Sequence, residues 1–424
     1  MKFVVTMAFG ATGAEDWFSL VRLSGSRSPH MTVSAREARL AALFVLLSIG
    51  SALAQPGFLY SVDSRSFTVL SPGHAAIGTN DVGQIVGSTP TNGSLPTHGF
   101  VREASGSVTL LDFPSAYYTS LSAINNAGDI VGNQCGGPAP LTCTAFLKTG
   151  STFTPFGYPG AIYTYANGIN TAGHIVGAYR TEIVVGPNTV QDFDHALFIE
   201  GNAAVSFDFP GAHSTVFMGL NSAAEIVGYY VELTNTWPGY RYRGFVKRGN
   251  VVTRIDVPNA LFTIAAGIND SGQIVGDYTD QYGYRHGFVK IGRTFASFDF
   301  FGADTIPEAI NNNGQIVGNY YPRPVQSTID GFISEIEGLG LPRGATHSLL
   351  AKLKNVLDAF DAGDRVTACA QPDAFAHHVR AQLGKKLTES QAKFLLGISA
   401  QTNALLGCEW TPVRERIREK LSDR

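Results

Sequence analysis

Gly267-Ile268-Asn269-Asp270-Ser271-Gly272-Gln273-Ile274-Val275-Gly276 contains the phrase whose recurrence decides the fold. Its core, from asparagine to the last glycine, returns at 80–87, 125–132, 170–177, 221–228 and 311–318. The leading asparagines therefore stand 45, 45, 51, 48 and 42 residues apart. That is the period of a four-stranded propeller blade and far too long for one hairpin.

Two further signatures fall between these phrases. A small residue followed by an apolar one recurs as Gly57-Phe58, Gly99-Phe100, Ala145-Phe146, Ala196-Leu197, Gly244-Phe245, Gly287-Phe288 and Gly331-Phe332. An Asp-apolar-Pro turn or its relative follows at Asp112, Asp208, Asp256 and Asp299. Each unit thus reads as four short strands, for example 244–248, 251–257, 263–269 and 273–278, here called a, b, c and d. The c–d turn, Asn269 to Gly272, uses the asparagine to cap its own backbone and the glycine for positive φ. Ala224 replaces that glycine in the fourth copy, so its hairpin is expected to be strained or to use another turn. Isoleucine and valine adjoin in every d run, which makes both faces of that strand apolar, as in a strand packed between blades.

Six c–d hairpins predict a mainly β protein, a six-bladed β-propeller of four-stranded repeats. The last unit is expected to stop after its a strand, 331–336, and the run 67–70 to supply the missing b strand, which removes the exposed sheet edge. A flat or helical solenoid is the alternative.

Composition agrees with packed structure: 44% of residues are hydrophobic and only 15% charged, and the net charge is -3. No basic tract suits nucleic acid. Arg36 and Arg39, the apolar run 40–49 and Ala52-Leu53-Ala54 read as a signal peptide, too short to span a bilayer. The expected layout is an upstream extension from a start placed too early (1–30), signal peptide (31–54), propeller (55–337), linker (338–345), helical domain (346–410) and polar tail (411–424). The mature chain is expected to lack a transmembrane segment and to be secreted or held at the cell surface, or in the periplasm. The four cysteines form two local pairs, Cys135 with Cys143 and Cys369 with Cys408, and export implies two disulfides, free buried thiols being the alternative.

After Pro342 the period becomes helical. Leu349, Leu350, Leu353, Leu357 and Phe360 form one stripe that Gly363 can end. A second helix carries Phe375, Val379 and Leu383, with Pro372 suited to its first turn. A third opens with a capping box, Thr388 to Gln391, and runs to Gly407. A small three-helix bundle is expected.

The phrase from Gly267 to Gly276, with His286-Gly287-Phe288 after it, resembles the bacterial HAF family of extracellular repeats over residues 57–337. That likeness implies secretion and a repeat β architecture, with no activity attached. His-Gly-Phe is whole only at His98 and His286, which argues against a ring of ligating histidines. Gly384-Lys385-Lys386-Leu387-Thr388 and the flanking cysteines resemble the FIMAH domain of bacterial surface proteins over about 345–409, which implies an accessory or attachment role.

No catalytic, phosphate-binding, calcium-binding or metal motif stands out, so no enzyme activity, cofactor or metal site is expected. Asp192 and Asp194 read as a solvated loop. The suggestive feature is aromatic: loops leaving the d strands carry Tyr230, Trp237, Tyr240, Tyr242, Tyr282 and Tyr284, candidates for stacking on a sugar or packing on a protein. An exported binding module for a glycan or protein is the reading; a secreted propeller hydrolase or lyase acting on polysaccharide is the alternative.

Overall fold

The computed structural model describes residues 57–408, apart from 65, 71–73, 92–93, 137–141, 187–188 and 236–237. The expected upstream extension, signal peptide and polar tail lie outside the described residues, as does Trp237.

An N-terminal hairpin, β1 (Gly57–Ser61) and β2 (Ser66–Val69), precedes five complete four-strand units. They are β3 (Ala75–Thr79), β4 (Ile85–Thr91), β5 (Ser94–Arg102), β6 (Val108–Leu110); β7 (Tyr118–Ile124), β8 (Ile130–Gly136), β9 (Thr142–Thr149), β10 (Thr152–Phe156); β11 (Tyr163–Ile169), β12 (Ile175–Gly186), β13 (Thr189–Glu200), β14 (Ala203–Phe207). Next come β15 (Ser214–Leu220), β16 (Ile226–Leu233), β17 (Tyr240–Arg248), β18 (Val251–Ile255); and β19 (Phe262–Ile268), β20 (Ile274–Thr279), β21 (Arg285–Ile291), β22 (Thr294–Phe298). A final hairpin, β23 (Ala303–Ile310) and β24 (Gln315–Pro322), ends the array.

Each complete unit is one antiparallel blade with strand c innermost, and one parallel pairing, Thr97 with Tyr118, links the first two blades. The sixth blade has the order β2-β1-β24-β23: β1 runs antiparallel to β24 with Gly57 opposite Asn319. The closure is therefore two strands from each end. The expected a strand at 331–336 is a helix, because Val325, Ile329, Phe332 and Ile336 recur at helical spacing and all four are buried. The strand array ends at Pro322, short of 337.

The repeated phrase is explained by packing. Isoleucine and valine of every copy are at most 5% exposed. Each valine packs in a cluster with the next blade's isoleucine: Val86 with Ile130, Val131 with Ile175, Val176 with Ile226, Val227 with Ile274, Val275 with Ile316 and Val317 with Ile85. The last contact closes the circle, which excludes an open solenoid. The glycine after the valine lies against a bulge in strand c; a Cβ on Gly87 would stand 1.8 Å from the Ala75 carbonyl oxygen, and one on Gly276 1.9 Å from that of Ile264. No other residue fits.

The leading asparagines form a belt. Each Nδ2 donates to the backbone carbonyl of the next: Asn80 to Asn125, Asn125 to Asn170, Asn170 to Asn221, Asn221 to Asn269, Asn269 to Asn311 and Asn311 back to Asn80, at 2.9–3.3 Å. Their Oδ1 atoms accept from backbone N–H groups of their own turns, such as Gln273 at 3.0 Å. One side chain thus caps a turn and ties two blades. Ala224 keeps the common turn, with φ 55, in place of the positive-φ glycine of the other copies; the turn type is retained and the strain accepted.

Four helices follow among the described residues, one more than expected: α1 (Val325–Gly338), α2 (Arg343–Asp361), α3 (Arg365–Gln382) and α4 (Glu389–Leu406). Asp364 caps α3, so Pro372 lies inside that helix, buried, with its carbonyl accepting from Ser399 Oγ at 2.7 Å. The Thr388–Gln391 capping box and the left-handed Gly407 bracket α4 as expected. Both disulfides are formed, Cys135–Cys143 across β8 and β9 and Cys369–Cys408 between α3 and the residue pair closing α4. No helix among the described residues is long and apolar enough to cross a membrane.

The helical domain docks on blades five and six through two arginines. Arg323 Nη1 donates to the carbonyls of Ala404 and Leu405, the latter at 2.9 Å. Arg365 donates to the Asp299 carbonyl at 2.7 Å and the Gly407 carbonyl at 2.6 Å. Both satisfy orphan carbonyls at the negative end of α4.

Candidate binding face

The two ends of the propeller differ chemically. At the c–d turn end, the residue after each belt asparagine rims a recess of about 80 Å3. Asp81 accepts from Asn126 Nδ2 at 2.6 Å and from Asn312 Nδ2 at 2.9 Å, while Asp270 accepts from Asn312 Nδ2 at 2.9 Å and Ser222 Oγ at 3.0 Å. Burial pushes the Asp81 carboxyl up, but hydrogen bonds from Asn126 and Asn312 outweigh it and hold it below its ordinary value. Asp81, Asn126, Ser222, Asp270 and Asn312 thus satisfy one another at this end.

The opposite end carries the d–a loops and the helical domain. Here, in four of the blades, the residue before the small-apolar pair meets the aspartate that opens the next turn. His98 bonds Asp112 at 2.7 Å, His195 bonds Asp208 at 3.0 Å, Arg243 bonds Asp256 at 3.4 Å and His286 bonds Asp299 at 3.1 Å. Two sequence signatures are therefore one a–b clamp. Its histidines are spread over separate blades, and among the described residues no group of three or more His, Cys, Asp or Glu is arranged to hold a metal ion.

Within two blades, ion pairs join strand d to strand a, fully buried in one and part-buried in the other. Arg180 holds Asp194 by two bonds of 2.8 and 3.1 Å, and Arg285 holds Asp277 by two of 2.9 Å. Asp192 and Asp194 are thus both strand residues of β13, with Asp194 buried, contrary to the expected solvated loop. Glu308 is the bulge residue of β23; burial first, then the neighbouring Asp277, push its carboxyl up to about 7 against the opposing pull of Arg285 and Asn319.

The six aromatic candidates separate into groups. Tyr230 is 5% exposed and stacks on Phe209 at 3.8 Å, as Tyr179 stacks on Tyr158 and Tyr320 on Phe300. It is consumed by blade packing and offers no ligand surface. Tyr242 is also buried, within 5.5 Å of the rings of Tyr229, Tyr240 and Phe262. Burial pushes the hydroxyls of Tyr229, Tyr240 and Tyr242 up. Tyr240 stays half-buried at the edge of that inter-blade cluster.

Tyr282 and Tyr284 belong elsewhere, on the loop between β20 and β21. Tyr284 packs against the helical core, with the Arg323 guanidinium 4.8 Å from its ring centre. Tyr282 forms one wall of a groove of about 660 Å3 whose other wall is helical. Phe332 and Glu335 of α1 line it, with Ser390, Lys393, Phe394, Gly397, Ile398 and Gln401 of α4. Phe394 is 42% exposed, a large ring left open to solvent beside Glu335 and Lys393. Gly397 contributes the space: a Cβ there would meet nothing within 4 Å, although glycine inside a helix costs about 1 kcal/mol against alanine. Nothing in the sequence reading gave Phe394 or Gly397 a role; a glycine in the middle of an amphipathic helix was the available signal.

No family model matches the chain, and no curated protein matches it. Solved propellers do. The β-propeller domain of the Trilobed protease from Pyrococcus furiosus is 10% identical over 58% of this chain and 75% of its own, with TM-score 0.39. TolB from Acinetobacter baumannii is 11% identical over 68% of this chain and 69% of its own, with TM-score 0.36. The six-bladed fucose-binding lectin of Aleuria aurantia is 12% identical over 57% of this chain and 89% of its own, with TM-score 0.34. Likenesses this distant carry no argument about ligand; the propeller assignment stands on the paired strands.

Proposed function

We propose that the protein is an exported binding module that holds a glycan in the groove between propeller and helical domain. The observation that carries this reading is the groove itself: two accessible aromatic rings, Tyr282 and Phe394, set among a carboxylate, an ammonium, a hydroxyl and an amide. Sugar rings offer an apolar face for stacking and hydroxyls for such polar groups, and a cleft of this volume at a domain boundary is of ligand size. Two disulfides support an oxidising compartment, and the resemblance of the repeats and helices to extracellular families fits display outside the cytoplasm.

A glycan array probed with the purified chain tests it, beside Tyr282→Ala, Phe394→Ala and the triple change of Trp237, Tyr240 and Tyr242 to alanine. Binding lost in the first two variants and kept in the third supports the groove. Loss in the third alone moves the site to the blade-four loop, and silence across the array refutes glycan binding in favour of a protein partner.

A second reading, a polysaccharide hydrolase or lyase, is favoured by Glu308, the bulge residue of β23 near Asp277, whose carboxyl burial pushes up to about 7, in the range of a general acid. Cleavage of a polysaccharide by the wild type and not by Glu308→Gln would establish it.

A further inference from the structure

The wall of the groove is held from behind by a buried relay. Asp280 Oδ1 accepts from the backbone N–H of Tyr282 at 2.8 Å and of Tyr284 at 3.0 Å. Its other oxygen meets His286 Nε2 at 3.1 Å, and His286 Nδ1 meets Asp299 Oδ2 at 3.1 Å. The Asp299 carbonyl in turn accepts from Arg365 at the start of α3. His286 is fully buried, and Asp280 and Asp299 are 7% and 2% exposed. The chain of contacts thus runs from the loop bearing Tyr282, through one imidazole, to the helical domain that supplies the opposite wall.

We infer that His286 is a positioning residue for the groove, fixing the Tyr282 loop relative to the helical domain through Asp280 and Asp299. The inference rests on the groove being the binding site for its functional meaning, but its geometry can be tested without any ligand. The other clamps show what is special here: His98 and His195 each face one aspartate and are partly exposed, whereas His286 lies between two and is sealed. An imidazole with carboxylates on both nitrogens donates both N–H groups only when protonated. Burial opposes that charge, yet Asp299 and Asp280 hold the proton up to about pH 10, with Arg323 pulling the other way. Tyr278 stacks on the ring at 5.0 Å and shields it. Asp280 thereby keeps a cation behind it while its second oxygen holds two loop amides, an arrangement a neutral residue at 286 does not reproduce.

The test is amide hydrogen exchange on the full chain, comparing wild type with His286→Ala. The Tyr282 and Tyr284 amides should exchange about ten-fold faster in the variant, the effect of weakening one charge-assisted acceptor, while the Val275 and Val317 amides in the d strands keep their protection. If His286→Ala fails to fold, His286→Gln, which retains one donor, reads the same amides and should show an intermediate acceleration. Unchanged Tyr282 and Tyr284 amides would overturn the inference. Acceleration spread evenly over all blades would do so too, because His286 would then serve general stability alone. Loss of glycan binding in Tyr282→Ala addresses the groove reading separately, so the two can fail independently.

Discussion

The fourth c–d turn offers a direct measure of backbone strain within one molecule. Glycine occupies the left-handed position at Gly83, Gly128, Gly173, Gly272 and Gly314, with φ between 71 and 85, and Ala224 occupies it at φ 55. An L-residue in that region costs about 1–2 kcal/mol. Replacing it with glycine returns about 0.5–1 kcal/mol to the unfolded chain as freedom. Ala224→Gly should therefore stabilise the protein by about 0.5–1 kcal/mol. The reverse change can be made two blades away: a Cβ on Gly128 would meet nothing within 4 Å, so Gly128→Ala isolates the backbone effect and should cost the same amount. Urea unfolding followed by circular dichroism gives both values, and the double variant should return to the wild-type midpoint within about 0.5 kcal/mol, as expected of sites without shared partners. A destabilised Ala224→Gly, or a neutral Gly128→Ala, would refute the claim that positive φ selects glycine in these turns.

Gly276→Ala should be far more damaging, on the order of 3 kcal/mol or more or a failure to fold, because the new Cβ would fall 1.9 Å from the Ile264 carbonyl oxygen; soluble yield and urea midpoint check it. Glu308→Gln should stabilise the fold at pH 8 by about 1–3 kcal/mol and leave it unchanged at pH 4. The sign follows from a carboxyl whose folded value, about 7, exceeds its ordinary 4.5: ionisation costs the folded state as pH rises through that window, and glutamine avoids it. For His286 the raised value acts oppositely, since its charged form is the favoured one. Its contribution is complete below pH 6.5 and is lost as pH rises through about 10, so His286→Gln should lower thermal stability at pH 6 more than at pH 10. Reducing the disulfides should loosen the helical domain first, because Cys369–Cys408 spans 39 residues and Cys135–Cys143 only 8, which by loop-closure entropy corresponds to roughly 3–4 against 2–3 kcal/mol; melting with and without reductant, read from the helical signal, checks the order.

Blade number was legible because the asparagine, the isoleucine-valine pair and the glycine each meet a constraint that every blade imposes. The asparagine's turn-capping role was equally local and readable. Its bond to the next blade was not, since Nδ2 reaches a carbonyl 42 to 51 residues away, or 231 at the closure, and nothing in the sequence reports that distance. Gly331-Phe332 imitated an a strand because two residues cannot distinguish periods; the wider spacing of Val325, Ile329, Phe332 and Ile336 decides for helix. The tyrosines following each Ile-Val-Gly looked like loop residues in sequence, yet Tyr230 lies within strand d, where the pleat sends it into the blade, and Tyr240 opens strand a at an edge. The groove was invisible because it joins a propeller loop to α4, two elements with no shared pattern.

The sixth blade has a consequence for how the molecule comes into being. Its inner hairpin and its outer hairpin come from opposite ends of the array, and the belt bond that completes the circle joins residues 231 positions apart. During synthesis the first hairpin emerges long before its partner and has no sheet to join. Five blades can assemble in order, but the ring remains a crescent with two raw flanks until β24 arrives beside β1. Resistance to proteolysis should therefore appear late and all at once, as a property of the finished circle.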